Sequence, residues 1–279
     1  YLIMGNQIVK YANAFNNQGL REFNAVNLDI LMAVCSRMRE KNDDEITFTF
    51  SELKKLMCCE KNISNAELAQ RIIETNKKLL ALNFAYEDKD EYIQFNLFSC
   101  FKTNLKEAKL TVAVNKQFAF LLNNLGSNFT RFELSSYMKL KSSYSKEAFR
   151  RLKMFRNTGI WRVNVNDFRR LLDIPDSYKT NINSKVIKPI LSELEPLIGL
   201  KVKPIYSSEI KRGRRKIIAY EFTFNKEKIT AVEEQNEKIN KAMESQESAK
   251  KHKEEFEKFK REHDGLTPWQ LMKKTFHLK

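Results

Sequence analysis

Between Ser143 and Phe224 the spacing of apolar residues changes repeatedly, and each change marks an element. Phe149, Leu152 and Phe155 recur at helical spacing, while Lys146, Arg150 and Lys153 gather on another face of the same helix as a basic stripe. Trp161, Val163 and Val165 alternate with Arg162 and Asn164, the period of a half-buried strand. Asn166 is placed to cap a short helix through Leu172, and Asp173-Ile174-Pro175-Asp176 ends it, because the residue before a proline is driven out of helical geometry. Asn183 or Ser184 can cap the next helix, which runs towards Leu197 and buries Ile187, Ile190, Leu191 and Leu194. Asn181, Ser184, Lys185, Lys188 and Ser192 are left to face outwards. Pro189 removes one hydrogen bond from this helix, which is therefore expected to kink or to start late. Two further strands fold about the tip Lys211-Arg212-Gly213-Arg214-Arg215-Lys216. Helix, strand, helix, helix and hairpin, in that order, describe a winged helix.

The same order occurs earlier in the chain. After a short amphipathic segment over Asn6 to Tyr11, Leu28, Leu31, Met32 and Cys35 share one face of a helix, and Ile46 to Phe50 alternates as a strand. A short helix begins at Ser51, and a long one opens at the capping box formed by Ser64 and Glu67. The long helix is expected to bury Leu68, Ile72, Leu79 and Leu80 and to expose Asn65, Gln70, Arg71, Glu74, Lys77 and Lys78. Phe84 to Tyr86 and Tyr92 to Phe98 make a hairpin around the acidic turn Glu87-Asp88-Lys89-Asp90-Glu91, which reads as the wing of this unit. A strand over Thr111 to Val114 and a short helix over Lys116 to Leu122 lead to Asn123-Asn124-Leu125-Gly126-Ser127, the best boundary. Thr130 and Glu133 form a second capping box, which predicts a helix through Phe132, Leu134, Tyr137 and Leu140. After Phe224 sparse apolar residues and alternating charges predict an exposed helix or tether. It ends in an apolar knob of Trp269, Met272 and Phe276, suited to docking on a partner or folding back on its own domain. The predicted fold is α+β, mainly helical, with winged-helix domains over 1–122 and 123–229 and a charged helical tail over 230–279.

Charge changes this picture more than composition does. The chain of 279 residues carries a net charge of +15, and 23 basic residues stand against 10 acidic ones in 123–229, with near balance elsewhere. Positive charge concentrated in one domain suits a phosphate-binding surface better than a generally solvated exterior. An acidic first wing would be repelled by phosphates, so the first unit is expected to contribute more to protein contact, including self-association.

Other chemistry is thin. None of the 7 glycines lies in a phosphate-cradling motif, and all 3 histidines, His252, His263 and His277, fall in the tail. The 4 cysteines, Cys35, Cys58, Cys59 and Cys100, lack metal-ligand spacing and read as reduced thiols of a cytosolic protein. No carboxylate cluster, metal site, cofactor site or catalytic group is expected, and no apolar run is long enough to span a membrane. Met4 is a candidate natural start.

Ser142 to Leu152, Phe168 to Tyr178, Val186-Ile187-Lys188-Pro189-Ile190, Arg212-Gly213-Arg214-Arg215-Lys216 and Tyr220 to Phe224 together resemble the Rep initiators of iteron-bearing, theta-replicating plasmids. Asn6-Gln7-Ile8-Val9-Lys10 is similar to that family's opening. The resemblance covers about Asn6 to Phe224 and implies two winged helices that bind direct repeats at a plasmid origin as a monomer. It also implies dimers formed through the first domain, repression of the rep promoter, recruitment of the host initiator ATPase and replicative helicase, and a bacterial cytoplasmic, plasmid-encoded setting. Residue physics agrees on DNA: Ser184, Lys185 and Lys188 suit base edges or flanking phosphates, and Arg212, Arg214, Arg215 and Lys216 suit the backbone or a minor groove. Lys146, Arg150 and Lys153 are expected to add phosphate contacts, and Asn65, Gln70, Arg71 and Lys78 are the corresponding candidates in the first domain. Two other readings use the same surfaces: a winged-helix repressor on a palindromic operator, and an assembly protein whose basic patch meets an acidic protein.

Overall fold

Each half of the chain builds helix, strand, helix, helix and then paired strands. A computed structural model describes residues 7–17, 19–20, 23–38, 45–57, 63–87, 92–116, 122, 129–178, 181–211 and 214–228. After β1 (Ile8–Ala12), the first half supplies α1 (Ala25–Met38), β2 (Ile46–Thr49), α2 (Phe50–Leu56) and α3 (Asn65–Leu80). The hairpin β3 (Asn83–Glu87) and β4 (Tyr92–Asn96) follows, then β5 (Phe98–Asn104) and β6 (Lys109–Val114). β7 (Phe129–Glu133) and α4 (Leu134–Met138) connect to the second half. That half consists of α5 (Ser143–Met154), β8 (Ile160–Asn164), α6 (Val165–Leu171), α7 (Lys188–Ile198), β9 (Lys201–Lys211) and β10 (Arg214–Thr223). Its sheet runs β8-β10-β9 and the first half's runs β2-β6-β5, so in both the last strand lies between the other two. The molecule contains two tandem winged helices.

Local signals explain most boundaries. Thr49 Oγ1 accepts from the Glu52 N–H while Glu52 Oε2 accepts from the Thr49 N–H, a reciprocal box that starts α2 one residue before Ser51. Ser64 Oγ accepts from the Glu67 N–H and starts α3 as expected. Asn164 rather than Asn166 caps α6, because extended backbone at Asn164 lets its Oδ1 accept from the Asp167 N–H at 2.8 Å. Asp173, with φ of 53°, then reverses the chain ahead of Pro175. Pro189 has the expected consequence: a π-helical turn over Asn183–Ile187 precedes the regular helix α7, in which Pro189 takes a first-turn position where a missing N–H costs least. The π-turn has no side-chain cap, so neither Asn183 nor Ser184 plays the role the sequence suggested.

Two expectations fail because pairing over long sequence distances overrides local pattern. Thr130 and Glu133 do not open a helix; they lie in β7, which pairs antiparallel with β1 and sets Tyr11 opposite Thr130. The buried Thr130 hydroxyl donates to Asn13 and accepts from Asn16. The acidic hairpin β3-β4 is not the first wing, because β2 pairs with β6, and β6 with β5. The strands matching β9 and β10 are therefore β5 and β6, whose turn spans Leu105 to Ala108, and β3-β4 is an insertion after α3. The tail over 230–279, the boundary Asn123 to Ser127, Cys58 and Cys59 lie outside the described residues; Cys35 is buried and Cys100 exposed, both as free thiols.

Buried side chains form one continuous core from Val9 to Phe222. In the second half Phe168 stacks on Phe222, whose ring also stacks on Trp161 at 5.1 Å. Where the halves meet, Phe132 packs against Tyr11, Tyr137 and Phe149. Gly159 turns the chain between α5 and β8 with φ of 68°, and a Cβ there would stand 2.6 Å from the Phe224 carbonyl oxygen. Gly159→Ala is expected to destabilise the chain by about 2 kcal/mol from backbone strain and that clash, read as a lower urea midpoint at unchanged m-value.

Candidate nucleic-acid interface

α7 is amphipathic across its π-turn. Val186, Ile187, Ile190 and Leu194 are buried, and Leu191 is half-buried against the core. Asn181, Ser184, Lys185, Lys188 and Ser192 are exposed, as their spacing predicts. The Asn181 carbonyl accepts from the Lys185 N–H at 2.8 Å and from the Ser184 hydroxyl, which anchors the first turn to the loop before it. Arg169 on α6 holds that loop by donating to the carbonyls of Pro175 and Tyr178. α6 and α7 thus form a helix-turn-helix with a row of hydroxyl, amide and ammonium groups along its open face.

The second hairpin supplies the wing. Arg215 and Lys216 are exposed on β10 near its tip, whereas Arg212 and the side chain of Arg214 lie outside the described residues. Lys201 and Lys203 are exposed on β9, where they alternate with half-buried Val202, a period-two pattern visible in the sequence itself. Arg170 on α6 is also largely exposed, held by Asp167. A wing, an exposed helix face and a basic first helix of the motif can together follow a phosphate backbone and present donors to base edges.

The expected basic stripe on α5 does not join this surface. Lys146 and Arg150 are both 0% exposed. Lys146 donates to Asp29 of α1 at 2.5 Å and to the Tyr137 carbonyl, with its ammonium over the Tyr137 ring. Arg150 forms a fork with Glu147 and donates to the Phe15 carbonyl, while Arg151 takes the same Glu147 carboxylate at 2.7 Å. Lys153 is paired with Glu227 in the segment after β10 and lies over the Phe149 ring. The face that looked solvent-exposed is the seam between the two halves, and its charges are neutralised within the fold. Burial works to raise the Glu147 carboxyl, but the Arg150 and Arg151 guanidiniums outweigh it and leave its pKa below the usual value. Asp29 goes the other way: burial lifts its pKa to about 6 despite Lys146.

The first unit presents a weaker version of the same surface. Asn65, Gln70 and Arg71 are exposed on α3, but Arg71 is paired with Glu67, Gln70 donates to Glu74, and Asn65 accepts from Lys54. Lys78 is half-buried and donates to Asn27 of α1, so it leaves the candidate face. Leu80, expected inside, is 38% exposed, and Ile73, about two turns before it on the same face, is 40% exposed. The wing β5-β6 carries exposed Lys102 and Lys106, which replaces the acidic tip as the electrostatic character of this wing. Among the described residues no group of three His, Cys, Asp or Glu side chains could hold a metal, and no helix is long and apolar enough to cross a membrane.

A family model described as "Initiator Replication protein, WH1" matches residues 8–153, and one described as "Initiator Rep protein, WH2" matches residues 164–224. The chain belongs to the replication initiator protein family. The "Probable replication protein rep" of Bifidobacterium longum (strain NCC 2705) is 46% identical over 227 residues, which is 80% of this chain and 74% of that protein. The fold of this initiator also resembles the Pi initiator protein solved in complex with iteron DNA, with a TM-score of 0.63 at 15% identity over 81% of this chain and 100% of that one. The WH1 match runs through α5 as far as Lys153 and the WH2 match begins at Asn164, so the helix whose ions join the halves falls, but for Met154, within the first match.

The seam makes a clear prediction. Lys146→Met leaves the Asp29 carboxyl without its partner and is expected to cost about 3 kcal/mol, whereas combining it with Asp29→Leu restores most of that stability in urea unfolding. Neither variant should change the salt slope of DNA binding, which a lost phosphate contact would lower by about one unit.

Proposed function

We propose that this initiator binds duplex DNA sequence-specifically at direct repeats of a plasmid origin, reading bases with α7 and holding the backbone with the β9-β10 wing. The observation that carries this reading is the open row of Ser184, Lys185 and Lys188 beside exposed Arg215 and Lys216, within a chain of the replication initiator family. The likeness to an initiator solved with iteron DNA supports it at the level of fold. Base edges in a major groove ask for hydrogen-bond donors and acceptors on a helix, and phosphates ask for positive charge on a hairpin; the second winged helix offers both.

Division of labour follows charge and exposure. The region 123–229 supplies most of the DNA affinity, while 1–122 adds backbone contacts through Arg71, Lys102 and Lys106 and serves as the homodimer surface. Exposed Ile73 and Leu80 on α3, and Tyr92 on β4 at 64% exposure, favour that second role. The chain acts as a monomer on repeats and as a dimer in repressing its own promoter. Several copies bend the repeats, strain an adjacent A·T-rich element with binding free energy, and recruit the host initiator ATPase and replicative helicase, with residues 230–279 as the docking segment. The protein has no catalytic role of its own and works in the bacterial cytoplasm.

A repressor on a palindrome would use the same helix and wing, so arrangement of sites separates the two. Footprinting on DNA flanking the gene is expected to reveal equally spaced protections in one orientation; a single inverted repeat would overturn the initiator reading. Lys185→Ala is expected to reduce preference for the repeat about tenfold with little change in salt slope, and Arg215→Ala to weaken repeat and random DNA alike while lowering the slope by about one. Fluorescence anisotropy across a salt series reads both.

A further inference from the structure

The base-facing end of the recognition helix is poorly supported by its own backbone. Its first turn is π-helical over Asn183–Ile187, it lacks a side-chain cap, and Pro189 offers no N–H to the ladder. Something outside the helix must hold its angle if Lys185 and Lys188 are to meet particular bases.

Glu193, one helical turn after Pro189, reaches out of α7 to the start of α5. One carboxylate oxygen accepts from the Lys141 N–H at 2.9 Å and the other from the Ser142 N–H at 3.1 Å. These amides open α5, where Ser142 is the N-cap, so a carboxylate sits on the positive end of a helix with two charge-assisted bonds. A second link runs the same way: the buried Ser145 hydroxyl donates to the Pro189 carbonyl at 3.3 Å. Both links attach α7 to the first turn of α5, and α5 is tied in turn to the first winged helix by Lys146 to Asp29 and Arg150 to the Phe15 carbonyl.

We propose that Glu193 is a positioning residue for DNA recognition: its bond to the α5 amino end sets the angle at which α7 presents Ser184, Lys185 and Lys188, and so sets sequence specificity without touching DNA. This rests on α7 being the base reader. Non-specific binding depends on charge and tolerates a tilted helix, whereas bidentate base contacts do not, so loss of the brace separates the two quantities.

The test uses the full chain and its Glu193→Gln variant, which keeps the side chain's shape but places an amide where a carboxylate accepted two N–H groups. A 30-base-pair duplex is selected from a random pool by the wild-type chain, and a scrambled duplex of equal composition serves as reference. The variant is expected to lose about tenfold in preference for the selected duplex, about the discrimination of one mismatched base pair, with an unchanged salt slope on the scrambled one. Hydrogen exchange at the Lys141 and Ser142 amides should quicken in the same variant. Ser145→Ala, which removes only the second link, should shift preference in the same direction by a smaller factor. Equal losses on both duplexes, or undiminished preference in either variant, would overturn the proposal. A wild-type chain that selects no sequence would instead sink the reading of α7 as base reader, and this proposal with it.

Discussion

Burying a guanidinium is tolerable only where a carboxylate and carbonyl oxygens take up its donors, and that condition shapes the centre of this molecule. Arg150 meets it with Glu147 one turn earlier on α5 and with the Phe15 carbonyl from the other half of the chain. Lys146 meets it with Asp29 and the Tyr137 carbonyl. The buried rings of Tyr11, Phe15, Tyr137 and Phe149 surround Lys146 and Arg150, so those two cations depend on their partners rather than on solvent, while Asp29 keeps a small solvent exposure. α5 consequently touches both units: it bonds to Pro189 of α7 and is also the element against which α1 closes through Asp29.

The second winged helix was readable because its elements are short-range events. Alternation at Trp161 and Val163, helical spacing at Ile187, Ile190 and Leu194, and a basic tip each involve residues close in sequence. Even the disturbance at Pro189 could be foreseen, since a missing N–H acts on its own turn. Helix starts were off by one or two residues where a competing cap stood nearby, as with Thr49 against Ser51 and Asn164 against Asn166.

What could not be read was partnership at a distance. A strand's alternation says which residues face inward but not which strand lies beside it, and the pairing of β2 with β6 rather than with the hairpin β3-β4 is set by residues sixty or more positions apart in the chain. The acidic turn follows the long helix as a wing would, yet the hairpin that pairs with β2 is β5-β6, which carries Lys102 and Lys106. Thr130 and Glu133 satisfied a helix-start pattern and still became strand, since pairing with β1 outweighs a local cap. Lys146, Arg150 and Lys153 repeat every three to four residues, and such a row looks the same facing water or facing another unit. Partners far away in sequence distinguish the two: Asp29 for Lys146, the Phe15 carbonyl for Arg150 and Glu227 for Lys153.

The two units share a strand order but not a surface: one offers an open polar row with a basic hairpin, the other a helix with paired charges and exposed Ile73 and Leu80. Joined through α5, they give a single chain no internal twofold axis. Such a chain laid along a double helix has a front and a back. A file of copies on evenly spaced sites of one orientation would end in two dissimilar faces, and whatever is gathered at one end would not be gathered at the other.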